Sequence, residues 1–189
     1  MKVKQLSYPM LPHWLLSVET GEPFRHCIHC HLPLDEIDAS WLVNKEYRRG
    51  ECIREYAICQ RCREDAATVI PASCLHAVRE FLETEIDWRA RAEELQQDAS
   101  IEGHLARCIR CHTPREALDG FSLSAQFDSH GRLMRGPLPL ILCNDCSAQL
   151  RERLSPATLE AWQRFLAVHF AGPDHDENPP APGLPGGWP

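Results

Sequence analysis

Cys27-Ile28-His29-Cys30-His31-Leu32-Pro33 and Cys108-Ile109-Arg110-Cys111-His112-Thr113-Pro114 are two versions of one phrase within a single chain of 189 residues. Each opens a segment that closes on a second C-x-x-C, Cys59/Cys62 in the first half and Cys143/Cys146 in the second. The intervening stretches are 28 and 31 residues long, and the offset between matching cysteines moves only from 81 to 84. Phe81-Leu82 and Phe165-Leu166 both begin 19 residues after the last cysteine of their half. A shared knuckle, closing pair and downstream Phe-Leu predict an internal duplication.

The spacing carries metal chemistry. A two-residue turn brings both sulfurs of C-x-x-C to one ion, and four thiolates satisfy zinc tetrahedrally. Where the second pair opens a helix, the positive end of the macrodipole favours the thiolate. The expected ligand sets are Cys27, Cys30, Cys59 and Cys62, and Cys108, Cys111, Cys143 and Cys146. A cross-braced arrangement would join pairs across the two halves; duplication favours the sequential one, because each ancestral unit had to bind its own ion. Two zinc ions per chain follow. Four-cysteine sites leave no open position for water, so no catalytic residue is expected from them. Buried free thiols and redox C-x-x-C pairs are the competing readings, and no thioredoxin-like βαβ pattern surrounds these cysteines.

Working outward, each knuckle precedes an extended region. Ser40–Tyr47 and Glu55–Ile58 read as strands with a turn near Arg49-Gly50, and Phe121–Phe127 and Leu138–Leu142 as strands with a turn at His130-Gly131. Helices are predicted over Cys59–Val69 and Cys143–Leu154. A further helix follows each, capped by Ser73 in the first half and by Ser155 with Pro156 at its first position in the second. Leu159, Trp162, Leu166 and Phe170 fall at helical spacing, as do Leu75, Val78, Leu82 and Ile86, and this first-half helix is expected to continue through Arg89–Gln97. The fold class is therefore small α+β, zinc-stabilised, with a repeated knuckle, β-hairpin and helix. The expected divisions are an extension at 1–23, a first zinc unit with a long linking helix at 24–97, a linker at 98–103, a second zinc unit at 104–170 and a disordered Pro/Gly-rich tail at 171–189.

Formal net charge is −7, and each four-thiolate zinc adds −2, taking it to −11. Such a chain is no general polyanion binder. The charge is uneven: residues 24–97 hold ten Lys/Arg against fourteen Asp/Glu, whereas 104–172 hold eight Arg against six acids. Pro9, Pro12 and His13 interrupt the apolar run near the N-terminus, and no stretch is long and apolar enough for a membrane span. Ten cysteines without an export signal predict a cytoplasmic protein with reduced, metal-binding thiols.

The order of knuckle, hairpin and C-x-x-C at a helix start resembles a treble-clef or zinc-ribbon four-cysteine finger. Ile141-Leu142-Cys143-Asn144-Asp145-Cys146, followed by a helix, is similar to the N-terminal zinc domain of the ClpX unfoldase, and Ala57-Ile58-Cys59-Gln60-Arg61-Cys62 is so less closely. The resemblance covers about 40–50 residues of each half; the inter-pair loops here are longer, and no Walker motif is present. It implies the fold and the metal, and a built-in pseudo-dimer of a domain that in its family dimerises and docks adaptors and substrates. The expected function is a non-catalytic interaction module or adaptor with a protein partner. The alternative is nucleic-acid binding through Arg107, Arg110, Arg115, Arg132, Arg135, Arg151 and Arg153, although aromatic residues for base stacking are sparse. A treble-clef metal-dependent nuclease around Asp128-Ser129-His130 is a distant third, since a polar hairpin turn accounts for these residues.

Other residues raise narrower questions. Cys52 and Cys74 lie outside the repeat and read as small apolar residues, with a spare ligand or redox thiol as the alternative. His26, His29 and His31 crowd the first knuckle, where one could add a metal ligand; surface histidines beside a turn are the default. His31 and His112 follow their knuckles where the chain often turns left-handed. Trp41, Trp88 and Trp162 are candidates for the core or the junction of the halves, Trp14 for a docking N-terminal segment at Tyr8–Leu16, and Trp188 for an exposed site.

Overall fold

Trp41–Arg48 (β1) and Glu51–Cys59 (β2) are joined by Arg49 and Gly50, both at positive φ, 50° and 81°. Two left-handed residues make the tight turn whose twist matches that of an antiparallel hairpin. Gly50 adopts its angle without steric cost. The second half forms Gly120–Phe127 (β3) and Leu140–Cys143 (β4), also antiparallel. These four strands come from a computed structural model that describes residues 11–68, 70–98 and 100–170. The expected tail at 171–189, with Trp188, and part of the Tyr8–Leu16 segment lie outside the described residues.

The helices, in chain order, are Gln60–Ala67 (α1), Ala72–Glu85 (α2), Trp88–Gln97 (α3), Ile101–His104 (α4), Asn144–Arg151 (α5) and Pro156–His169 (α6). Ser155 caps α6 as expected, its side chain accepting from the Thr158 N–H, with Pro156 at the first position. Three expectations need correction. Ser73 is not a cap: α2 starts at Ala72, after Pro71. The helix does not continue to residue 97, because Ile86 is extended (φ −117°, ψ 126°) and Asp87 caps a separate α3 by accepting from the Ala90 N–H. The stretch 98–103 is not a plain linker, since Ser100 caps the short α4. No described helix is long and apolar enough to cross a membrane.

The two halves are not separate units along a linker. Their strands form one antiparallel sheet in the order β2-β1-β3-β4. Asn44 pairs with Ser124 at the middle of the β1–β3 ladder, and the Ser124 hydroxyl donates to Asn44 Oδ1 at 2.8 Å. Three residues to either side, Trp41 stacks on Phe127 (5.9 Å between centroids) and Tyr47 on Phe121 (4.8 Å). Aromatic cross-strand pairs of this kind stabilise a ladder beyond their buried area. Trp41, Val43, Leu123, Phe127 and Ile141 anchor the core, while Trp88 and Trp162 are half-buried against it.

Because β1 is central and covered on both faces, even Lys45 is buried. Its ammonium meets Glu55 Oε2 at 3.2 Å and donates to the Leu16 carbonyl. Glu55 also accepts from the Ser17 hydroxyl (2.6 Å) and the Val18 N–H (2.8 Å to Oε2), so one buried ion pair fastens the N-terminal segment onto the sheet. Trp14 extends that segment over Tyr47, with the Arg115 guanidinium 4.1 Å above its ring.

On the other face the long helices cross over. Phe81 and Glu85 of α2 meet Arg110 and Arg153 of the second half. Phe165 and His169 of α6 meet Tyr56 and His29 of the first. Each half thus contributes a helix to the other.

Candidate metal centres

Two groups of cysteines converge: Cys27, Cys30, Cys59 and Cys62 in one, Cys108, Cys111, Cys143 and Cys146 in the other. Within each group all four sulfurs lie within 4.8 Å of one another. The sequential assignment brings together the expected eight residues, and both groups can hold a metal ion. A tetrahedral ion with metal–sulfur bonds of about 2.3 Å needs sulfurs roughly 3.8 Å apart. Cys111 and Cys143 are 3.7 Å apart. Four sulfur donors at this spacing fit a thiophilic tetrahedral ion of the zinc or iron type, not a hard cation such as magnesium.

The backbone explains the convergence. Cys27 N–H donates to Leu32 O and His31 N–H to Cys27 O, closing the first knuckle; Cys108 to Thr113 and His112 to Cys108 close the second, all at 2.9–3.0 Å. The left-handed turn falls on His31 (φ 58°) and His112 (φ 57°). Ile28 N–H then docks on Ala57 O (2.8 Å) and Ile109 N–H on Ile141 O (2.9 Å), setting each knuckle against the strand that carries the second pair. Cys59 and Cys143 occupy the N-cap positions of α1 and α5, where free N–H groups gather. Cys59 N–H points at Cys27 Sγ and Cys143 N–H at Cys108 Sγ, both at 3.4 Å.

These contacts set the protonation order. Burial pushes the Cys27 thiol up, but N–H groups of Cys30, Cys59 and His29 outweigh it, and its pKa lies below the ordinary thiol value. Hydrogen bonds from Cys143 and Cys146 lower Cys108. Four move the opposite way: burial raises Cys59 and Cys62, hydrogen bonding with Cys108 raises Cys143, and Cys146 is pushed up to about 11. Cys27 and Cys108 therefore ionise before Cys59 and Cys62, and before Cys143 and Cys146, in their respective groups. A bound cation reverses this, since its charge favours all four thiolates and its binding releases their protons.

The surroundings of the two groups differ. Arg110 Nη1 donates to Cys146 Sγ at 3.5 Å, and its Nη2 to Glu85 Oε2 at 2.8 Å. Glu85 also takes Arg153 at 3.0 Å. At the first knuckle the residue in Arg110's place is His29, whose Nδ1 lies 3.2 Å from Nε2 of His169, the counterpart of Glu85. Neither His26, His29 nor His31 joins a cysteine group among the described residues. Cys52 and Cys74 also stand apart: Cys52 contacts the Arg54 carbonyl, and the Ser155 N–H donates to the buried Cys74. The Asp128-Ser129-His130 stretch is a turn, its carboxylate accepting from the N–H groups of His130 and Arg132 and pairing with the Arg132 side chain at 2.8 Å.

Sequence reasoning missed the Arg110–Glu85 and His29–His169 contacts. The signal was present: the offsets of 81 and 84 map Arg110 onto His29 and Glu85 onto His169. Compared with known proteins, the chain matches no family model, no curated protein and no solved structure.

Proposed function

We propose that this chain is a non-catalytic, zinc-stabilised interaction module that docks a protein partner. The observation that carries the reading is the convergence of four sulfurs at each site, which supplies a full tetrahedral shell from the protein alone. A catalytic zinc keeps one position for water, so two closed sites favour a structural role. The matched hydrogen bonds of the two knuckles support a duplicated, treble-clef-like unit, fused through β1 and β3 into a pseudo-dimer.

The arginines weigh against the nucleic-acid alternative. Arg110 and Arg153 are held by Glu85, Arg115 by Glu102, and Arg132 by Asp128. A guanidinium already paired with a carboxylate must give up that partner to bind a phosphate.

Elemental analysis of protein purified without added metal should give two zinc ions per chain, one for each group. Titration with labelled single- and double-stranded nucleic acid should show no binding tighter than about 10⁻⁵ M at about 150 mM salt, where phosphate contacts are weakened. Sub-micromolar affinity under those conditions would replace the adaptor reading with the nucleic-acid one. Capture from a native lysate should survive nuclease treatment.

A further inference from the structure

The sheet and the helices packed on it line a partly open pocket that the cysteine groups do not use. Its volume is about 230 Å³. Leu42, Tyr56 and Ile58 form the floor on the sheet, and Ala66 of α1 and Ala161 and Trp162 of α6 stand over it. The cavity persists because alanines occupy wall positions that larger side chains would fill. Arg63 also lines it, and its Nε is buried without a hydrogen-bond partner. Arg63 is the only charged residue among those lining the space, so an anionic head group is the match for it.

We propose that this cavity binds a small apolar monocarboxylate, on the scale of a medium-chain fatty acid, with its carboxylate received by Arg63. The apolar walls take the chain, and the guanidinium fork matches a carboxylate in shape and charge. A neutral hydrocarbon would fill the walls and leave the guanidinium without a counter-ion. An ammonium would place a second cation beside the guanidinium. A dry cavity of about 150 Å³ accepts benzene, so this one has room for a chain of roughly eight carbons. The proposal goes beyond the adaptor reading and stands independently of it.

Calorimetric titration of the full, metal-loaded chain with octanoate tests this, with 1-octanol and octyltrimethylammonium as matched chains of different head group. Octanoate should bind saturably at one per chain, and octanol and the ammonium at least about tenfold more weakly, as expected for loss of a charge-assisted hydrogen bond. Arg63→Gln should remove the preference for octanoate and leave octanol unchanged. Ala161→Trp should abolish binding of both. Because Arg63 follows the metal ligand Cys62, metal content and circular dichroism of each variant are checked first; the head-group comparison on the unaltered chain needs no variant. Equal affinity for octanoate and octanol, absence of saturable binding, or octanoate binding undiminished in Ala161→Trp would overturn the proposal. Binding seen only after removal of residues 172–189 would assign the cavity to the chain's own C-terminal segment and overturn it as well.

Discussion

The two four-cysteine groups share a backbone arrangement and differ in what stands against it. Both knuckles close with the same hydrogen bonds and turn on a left-handed histidine. The second is braced by charge: Arg110 bridges Cys146 Sγ and Glu85, and Arg153 joins the same carboxylate. The first is braced by His29 and His169, which meet at 3.2 Å, and burial together with the nearby His29 and His31 lowers the His169 pKa. The sheet shows the same contrast. Lys45 and Glu55 form a buried ion pair on the first half, while the corresponding places on the second are Ala125 and Pro139, both apolar. The two cysteine groups have matching backbone hydrogen bonds and unlike surroundings.

Removing a ligand should break the comparison most severely. Structural zinc contributes about 10–16 kcal/mol of apparent binding free energy in small fingers, more than most of the usual 5–15 kcal/mol range of domain stability. With β1 and β3 paired in one sheet, Cys59→Ser and Cys143→Ser should each destabilise both halves. Urea unfolding of each variant, followed by circular dichroism and by tryptophan emission, should show one shared transition at much lower denaturant. Two separate transitions, one unchanged, would mean that the halves fold independently. Cys52→Ser and Cys74→Ser should retain two metal ions by elemental analysis.

The buried ion pair ranks next. Lys45→Met leaves Glu55 without its cation and should cost about 3–5 kcal/mol, as breaking one side of a buried pair does. Lys45→Met with Glu55→Leu, closer to the apolar arrangement of the second half, should recover much of that loss, and a double-mutant cycle in urea measures the difference. The pH dependence follows from the same group. Burial raises the Glu55 pKa, but hydrogen bonds from Ser17 and Val18 and the Lys45 charge outweigh it and hold the folded value below the ordinary 4.5. A group lowered on folding stabilises above its unfolded pKa, so this contribution is complete above about pH 5 and fades as pH falls through the folded value. Glu55→Gln should flatten the stability profile below pH 5.

The smallest effect belongs to the charged brace. Glu85→Gln should weaken the hold of α2 on Arg110 and Arg153 and lower the melting temperature slightly at low salt. The difference should vanish near 1 M salt, where the Debye length is only about 3 Å. His169→Gln, at the matching position of α6, should show no such salt dependence.

How much of this was legible follows from how local each feature is. The C-x-x-C pairs, the knuckles, the hairpin turn at Arg49-Gly50 and the Ser155 cap were readable, because each rests on residues a few positions apart. The break at Ile86 was not, since Leu82 and Ile86 keep helical spacing while Asp87 starts a new helix. The burial of Lys45 was not either, because its partner Glu55 and its cover, Leu16, lie ten and 29 residues away.

The sequence by itself determined where metal can bind, because C-x-x-C and the turn after it place two sulfurs within a span that backbone geometry fixes. It also determined that each half makes a hairpin leading into a helix. Only the tertiary structure decided that β1 joins β3, that α2 and α6 change sides, and that a pocket forms over Tyr56. A strand's alternation shows which face is apolar but not which other strand takes its free edge, and a helical stripe does not show which half it covers. Those choices depend on side chains as far apart as Asn44 and Ser124 or His29 and His169 fitting at the same time, and no local pattern encodes that fit.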